Sequence, residues 1–285
     1  MQGHTKRRRR QARRCLAGLV AALTPMVVGP ALALAQEPGA GSSRPFEISD
    51  NSFLVEEALN QEPGVFQNIL TLDAGGSDEW AAAFTQEWPL ASRAHQISFT
   101  VPYSSTVGVS GLGDAFVHYR LQVMSGDNGG PAFSPRVSLI VPSGRASKGL
   151  GHGNPGWEVN LPFSRQVRDY YLHWNVGFSH VPAAESGGHR HNLLTPRAAA
   201  SVVWRARPMI NVLLEGLVEW ADEAIGPGSS RRTASTTILP GLRTGWNVGD
   251  AQTIIGAGIP ITVSGGTRDA GVFLYLSHEL PFARQ

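Results

Sequence analysis

The chain has 285 residues and a formal net charge of +2, but its basic residues are concentrated at one end. Seven of the 24 Lys and Arg residues lie between Lys6 and Arg14, ahead of an apolar run from Cys15 to about Ala35. Without that stretch, 17 basic residues face 22 acidic ones, a net charge of −5, and the only cysteine is lost. The rest of the chain therefore offers no basic patch for nucleic acid and no disulfide or thiolate chemistry.

Residues 1–35 have the layout of a secretory signal peptide. A basic block precedes the apolar run, and Ala33-Leu34-Ala35 before Gln36 has the small-x-small form of a signal-peptidase site. We expect Sec export and cleavage near Ala35, and a mature protein in the outer membrane of a Gram-negative bacterium.

Residues 36–64 separate this signal from the first predicted strand. Residues 36–52 are rich in Pro, Gly and Ser, which indicates a periplasmic linker. Residues 53–64 are acidic and weakly helical, and they form either a short plug or a periplasmic turn. The polar side chains of this motif are those of Glu56, Glu57, Asn60, Gln61 and Glu62.

Residues 65–285 alternate between apolar and polar side chains in about twelve segments. In residues 169–179, Leu172, Trp174 and Val176 share one parity, while His173 and Asn175 share the other. A strand points successive side chains to opposite faces, so each segment has an apolar and a polar face. The segments run near 65–73, 79–88, 94–103, 112–124, 132–142, 154–163, 168–181, 194–206, 208–221, 232–246, 250–262 and 269–282.

The absence of a long apolar run limits how such a chain can cross a membrane. No run of 18 apolar residues follows Ala35, so no helical span is expected. Backbone groups in lipid all need partners, which leaves a closed barrel. Long joins at 143–153, 182–193 and 222–231 alternate with short ones at 164–167, 207 and 247–249, as outer loops alternate with periplasmic turns. We predict an all-β, transmembrane, antiparallel up-and-down β-barrel of about 12 strands after a cleaved signal peptide. The alternative is a soluble β-sandwich with tryptophan in its core.

Aromatic residues near the segment ends are the predicted membrane-interface anchors. The outer set is Trp80, Trp157 and Trp220, and the periplasmic set is Trp88, Trp204 and Trp246. The last segment ends at Phe282, which resembles the signal read by the barrel-assembly machinery. We therefore expect that machinery and outer-membrane lipid as partners.

Two prolines fall inside predicted strands. Pro240 and Pro260 cannot donate a ladder hydrogen bond, so their strands either bulge or end elsewhere.

The polar faces supply the predicted pore lining, which carries charges of both signs. Such charges either pair across the lumen and close it, or form a constriction for small polar or anionic solutes with Arg120, Arg136, Arg197, Arg205 and Arg243 as a basic ladder. Asn211 also belongs to the polar face, so we expect an arginine there to be tolerated. An arginine at Val212 or Leu214, on the apolar face, should impair assembly. The predicted lining residues are His118, Arg120, Arg136, Glu158, His173, Arg197, Arg205, Glu215, Glu219, Arg243 and Glu279.

The sequence predicts no catalytic residue, metal site or cofactor. Ser179-His180 and Ser277-His278 differ from the His-x-Ser element of barrel phospholipases, which disfavours a barrel lipase. His189 and His191 lie in a predicted outer loop, with His180 on the strand before it and His152 in another loop. They indicate solvated loop residues more than a surface metal site.

Two stretches resemble a known family. The first is Phe53-Leu54-Val55-Glu56-Glu57-Ala58 with residues 60–65 and Gln67, and the second is residues 160–164 followed by Asp169, His173, Asn175 and Gly177. They resemble the bacterial outer-membrane proteins grouped as the MetA-pathway of phenol degradation family. The resemblance implies a barrel of transporter or channel type, loosely associated with the breakdown of aromatic compounds.

The sequence thus predicts a non-enzymatic outer-membrane channel for passive or facilitated passage of small-molecule solutes. The resemblance adds hydrophobic or aromatic compounds to the candidate solutes. The alternative is a non-transporting structural or adhesion barrel whose lumen is closed by internal salt bridges.

Overall fold

The computed structural model describes residues 46–48, 51–75, 79–186, 188–226 and 229–282, so the predicted signal peptide lies outside the described residues. Twelve strands follow one another along the chain, four of which are interrupted by short breaks. Their bounds are β1 Val65–Ala74, β2 Trp80–Leu90, β3 Ser92–Thr106, β4 in segments Val109–Leu112, Ala115–Leu121 and Met124–Ser125, β5 in segments Ala132–Phe133 and Arg136–Val141, β6 Gly156–Val167, β7 Tyr170–Ser186, β8 His189–Arg207, β9 Ile210–Gly226, β10 Ser229–Val248, β11 in segments Ala251–Gly258 and Ile261–Ser264, and β12 in segments Thr267–Ala270 and Val272–Pro281.

The strands form one closed antiparallel sheet. Each strand pairs with the next along the chain, and β12 returns to β1 in a register that runs from Val65 opposite Pro281 to Ala74 opposite Val272. Around the barrel, closure gives each described strand a neighbour on both sides, which is what a sheet in lipid requires. The predicted twelve-stranded up-and-down barrel is confirmed, and a two-sheet sandwich is not what the chain forms. In the described ranges, no helix is long and apolar enough to cross a membrane.

The two faces of the sheet differ as the alternation predicts. Val176 and Leu214 are each 55% exposed on the outer face, whereas their neighbours Asn175 and Glu215 are buried on the inner face. The six tryptophans expected at strand ends also point outward. At the periplasmic end of β2, Trp88 stacks on Phe66 at 4.8 Å and lies 5.5 Å from Phe282, measured between ring centroids. The outer face is therefore an apolar surface with aromatic rims, suited to contact with lipid.

The connections at the outer end differ from the prediction. Residues 182–186, 189–193, 222–226 and 229–231 belong to strands rather than loops, because β7 to β10 extend for 17 to 20 residues. The extended part of β9 and β10 is joined across the strands by Asp222 and Arg232, with 2.9 Å between Oδ1 and Nε. Polar cross-strand pairs let the ladder continue beyond the apolar belt, so a polar stretch alone did not mark a loop.

The long outer connection between β5 and β6 is an ordered loop. The buried carboxylate of Asp114 accepts backbone N–H bonds from Gly144 at 3.0 Å and His152 at 2.7 Å. The imidazole of His152 also lies 2.8 Å from this carboxylate. The loop is thus held to the start of the second β4 segment.

Pro240 and Pro260 meet at one interruption of the ladder. β10 pairs with the first β11 segment up to Gly241 opposite Gly258, and with the second from Ile238 opposite Ile261, in the same register. Neither proline can donate between these points, so the ladder breaks there without a shift in register.

Candidate functional site

Residues 46–48 and 51–64, here called the luminal segment, run through the inside of the barrel without regular secondary structure. The weak helical tendency of residues 53–64 is not realised, and residues 51–61 are not a periplasmic linker or turn. Many of the segment's backbone N–H groups bond to side chains of the wall. Examples are Glu56 N to Asn175 Oδ1 at 2.8 Å and Ala58 N to Ser164 Oγ at 2.8 Å.

Arg120 of β4 is the centre of the polar contacts with the luminal segment. Its side chain is only 2% exposed. It donates to Asn60 Oδ1 at 2.9 Å and Glu56 Oε1 at 3.0 Å, and to the carbonyls of Glu57 at 3.1 Å and Leu59 at 2.8 Å. One guanidinium therefore binds both a carboxylate and the backbone of the segment, which fixes its path as well as its charge.

Glu56 connects the segment to a second arginine. Its Oε2 lies 3.0 Å from Arg136 Nε and accepts from Asn160 Nδ2 at 2.8 Å. Burial alone raises the pKa of the Glu56 carboxyl, but the charges of Arg136 and Arg120 outweigh it and lower that pKa below its ordinary value. Glu56 is therefore bound as a carboxylate.

The arginines on this side of the wall are in turn paired with a wall carboxylate. Glu158 of β6 lies 2.7 Å from Arg136 Nη2 and 2.6 Å from Arg197 Nη2. Glu56, Arg136, Glu158 and Arg197 thus form a chain of alternating charges along this side of the inner wall. Such pairing neutralises the arginines that the sequence suggested as a basic ladder.

The start of the luminal segment is bound on the opposite side of the barrel. Glu215 of β9 accepts the backbone N–H groups of Phe53 at 3.0 Å and Leu54 at 2.5 Å. Arg243 donates to the carbonyl of Asn51, and Arg205 pairs with Glu47 near the periplasmic end. The segment is thus held from both sides of the lumen.

Phe53 is the apolar anchor of the segment. Its ring centroid lies 5.3 Å from that of Phe273 and 5.4 Å from that of Tyr275, both on β12. A methyl group at Gly241 or Gly256 would overlap the ring, so these glycines form the notch that admits it. Burying a phenylalanine here stabilises docking beyond what the polar bonds provide.

The luminal segment separates two cavities. The outer cavity has a volume of about 280 Å³ and a mixed lining that includes Leu54, Glu56, Phe116 and Arg197. The periplasmic cavity has a volume of about 150 Å³ and includes Glu57 in its lining. Residues of the luminal segment line both cavities.

The structure places the predicted lining residues on the inner wall, in different surroundings. His118 lies 3.0 Å from Thr100 Oγ1 and 2.7 Å from Ser138 Oγ, and His173 lies 2.7 Å from Ser164 Oγ. Glu219 lines the outer cavity, and Glu279 lies at the closure between β12 and β1, where Gln61 Nε2 donates to it at 3.2 Å. Of the acidic motif, Glu62 is exposed.

Asn211 and His191 do not lie where the sequence suggested. Asn211 is fully buried, and its amide oxygen, oriented toward Arg243, lies 3.3 Å from Nε and Nη2 of that residue. An arginine at Asn211 would face Arg243 in a filled lumen, so the structure predicts the opposite of tolerance. His191 lies on β8 and is buried, rather than solvated in a loop. In the part of the chain that the structure describes, no group of three His, Cys, Asp or Glu side chains is placed to hold a metal ion.

Several contacting residues did not stand out in the sequence. Gln96, Ser164 and Asn175 are uncharged and were not predicted as lining residues, although Ser164 and Asn175 belong to the motif that carries the family resemblance. Their partner is backbone of the luminal segment, which has no periodic signal of its own.

Comparison with known protein families and with curated proteins finds no match. Among solved structures, an outer-membrane channel of Pseudomonas putida F1 matches with a TM-score of 0.61 and 12% identity, over 82% of this chain and 99% of that one. The β domain of the Bordetella autotransporter BrkA has a TM-score of 0.45 and 11% identity, over 78% of this chain and 100% of that one. The outer-membrane channel DcaP of Acinetobacter baumannii has a TM-score of 0.35 and 8% identity, over 79% of this chain and 100% of that one. Only the first likeness is close enough to compare folds. It agrees with the strand topology: this chain has the fold of an outer-membrane β-barrel.

Proposed function

We propose that the protein is an outer-membrane channel for small solutes, closed by its luminal segment and opened when that segment leaves its site. The observation that carries this proposal is the course of residues 51–61 through the lumen, between two separate cavities. A barrel whose role was only structural would need no peptide bound across its interior.

The nature of the contacts supports a removable closure. Many are hydrogen bonds and ion pairs, which water can replace as the segment leaves, and the apolar contacts come from a few buried side chains, among them Ile48, Phe53 and Val55. Each polar contact contributes little net free energy, because the groups are also well solvated when released. The segment has no regular structure to unfold, so its release does not require the barrel to change.

The lining of the outer cavity supports a class of solute. Charged groups of both signs lie beside Leu54, Phe116 and Leu217, so a small molecule with one polar and one apolar part can make contacts with both. The resemblance to the phenol degradation family, to which we propose the chain belongs, favours aromatic members of this class.

Location and assembly are part of the same proposal. We propose that residues 1–35 direct export and are removed, and that the last strand, ending at Phe282, is read by the barrel-assembly machinery. The outward-facing aromatic cluster of Phe66, Trp88 and Phe282 joins the first, second and last strands, at the point where assembly must close the sheet.

A reversible covalent lock tests whether the segment is the closure. The hydroxyls of Ser52 and Ser201 lie 3.1 Å apart, so Ser52→Cys with Ser201→Cys should form a disulfide that holds the segment to β8. Removal of the signal leaves no other cysteine. In planar bilayers, we expect the oxidised double variant to be silent and to regain wild-type conductance on reduction, while Ser52→Cys alone conducts in both states.

The alternatives give different results in this experiment. A barrel sealed permanently by its salt bridges would be silent in the wild type and in the reduced variant. Equal conductance in the locked and reduced states would show that solutes pass without displacement of the segment.

A further inference from the structure

Four polar side chains form a continuous row on the outer face of the barrel. They are Thr253 of β11, His278 of β12, Asn68 of β1 and Gln86 of β2, here called the polar stripe. The strand register places each opposite the next: Thr253 faces His278, His278 faces Asn68, and Asn68 faces Gln86.

The polar stripe lies on the lipid side of the sheet. The residues next to its members in sequence, such as Gln67, Glu87 and Ser277, are buried on the luminal side. Because side chains alternate along a strand, the stripe must face outward. The side chains are also bonded to one another, with 2.8 Å between Thr253 Oγ1 and His278 Nδ1 and 2.8 Å from Gln86 Nε2 to Asn68 Oδ1.

The stripe is unusual for its surroundings. The next row toward the outer end consists of Ile255, Leu276, Leu70 and Phe84, and the row toward the periplasm includes Leu280, Phe66 and Trp88. On the described parts of β4, β5 and β7 to β9, the outward positions between the two tryptophan belts carry no amide, imidazole or charged side chain, and on β6 the one such side chain is that of Arg165, next to the periplasmic belt. Polar groups on the lipid side are thus gathered on one sector of the barrel.

Contact with lipid alone does not satisfy these groups. Asn68 Oδ1 accepts from Gln86, and Gln86 Oε1 accepts from Trp88 Nε1 at 3.0 Å. Within the described residues, Asn68 Nδ2 has no acceptor. An amide donor that faces hydrocarbon without a partner is costly, and polar residues in a membrane usually face protein.

We propose that the polar stripe is the centre of a lateral interface with a second copy of this chain. An amide both donates and accepts, so a twofold axis through Asn68 and Gln86 lets the stripe of one protomer bond to the same stripe of its partner. The apolar rows on either side pack around these bonds and exclude lipid. The interface lies on the outside of the barrel and does not depend on whether the lumen conducts.

Cross-linking tests the position of the interface. Leu70→Cys puts a thiol beside the stripe without changing it, and Val202→Cys on β8 puts one on an apolar sector across the barrel. Both residues face lipid. In vesicles of bacterial phospholipid with dilute protein, a short bis-maleimide should give a dimer with Leu70→Cys but not with Val202→Cys.

Subunit counting tests the role of the stripe itself. We expect single-molecule photobleaching of the labelled wild type in the same vesicles to show two steps. Asn68→Leu with Gln86→Leu should weaken self-association roughly tenfold, the effect of losing a symmetric pair of hydrogen bonds in a membrane. The Asn68→Leu, Gln86→Leu variant has a more apolar lipid side, so its barrel should still fold. An unboiled sample should therefore migrate differently from a boiled one on a gel, as a folded barrel does.

Three results would overturn the proposal. A wild type that stays monomeric at every protein density in the vesicles would show that lipid alone covers the stripe. Equal cross-linking at Leu70→Cys and Val202→Cys would indicate random collision. Undiminished dimerisation of the folded Asn68→Leu, Gln86→Leu variant would place the interface elsewhere.

Discussion

Replacement of Arg120 by methionine is the most direct test of how the luminal segment is held. Methionine fills much of the same space but removes all four hydrogen bonds from the guanidinium to Asn60, Glu56 and the carbonyls of Glu57 and Leu59. Loss of one partner from a buried ion pair costs about 3–5 kcal/mol. Glu56 keeps Arg136 and Asn160, so we expect the lower end, about 3 kcal/mol, which raises the ratio of released to docked segment roughly a hundredfold.

Two measurements report this ratio. The first is the open fraction of single channels in planar bilayers, and the second is the rate at which a maleimide labels Ser52→Cys in the wild-type and Arg120→Met backgrounds. Arg207→Met is the matched control, because Arg207 is exposed at the periplasmic end. If Arg120→Met has the labelling rate and open fraction of the wild type, the guanidinium does not hold the segment and the reasoning fails.

Three further predictions concern the anchor, the lipid side and pH. Phe53→Ala should weaken docking by about 3–5 kcal/mol and raise the open fraction, whereas Phe84→Ala on the outer face should leave it unchanged; equal open fractions would contradict the anchor role. Leu214→Arg should reduce folding stability in lipid by about 2–4 kcal/mol, whereas arginine at Val248, at the periplasmic end, should cost about 0–1 kcal/mol, as measured by reversible denaturation in vesicles. The lowered pKa of Glu56 means that its contribution to docking is complete above the ordinary value of 4.5 and is lost as the pH falls through the lowered value. Conductance should therefore rise at acidic pH in the wild type, and Glu56→Gln should remove part of that rise; an unchanged pH profile in the variant would show that another group titrates.

The barrel could be predicted because its signal is periodic. In each segment, buried inward-facing residues alternate with exposed apolar residues, as Asn175 does with Val176. Contact with lipid requires apolar side chains on the outer face of every strand. The strand ends could not be predicted equally well. Pairs such as Asp222 with Arg232 let β9 and β10 continue where the apolar face stops, and cross-strand pairing is visible only when the register is known.

The candidate site could be predicted only in part. Parity identifies which residues face inward, so Arg120 and Glu215 could be named from the sequence. Their partners could not, because residues 51–61 contact the wall through backbone groups and single side chains, which have no repeat. The same limit explains Asn211, since its inward direction was readable but the filled lumen around it was not.

The bonds of Gln61 constrain the order in which the molecule is completed. Its side-chain amide donates to Gln67 of the first strand at 3.0 Å and to Glu279 of the last at 3.2 Å. Gln67 and Glu279 lie more than 200 residues apart in the chain. They come together as a pair of acceptors only when the first and last strands have paired. These two bonds can therefore form together only after the final seam is made, so the complete set of contacts of the luminal segment marks a finished protein.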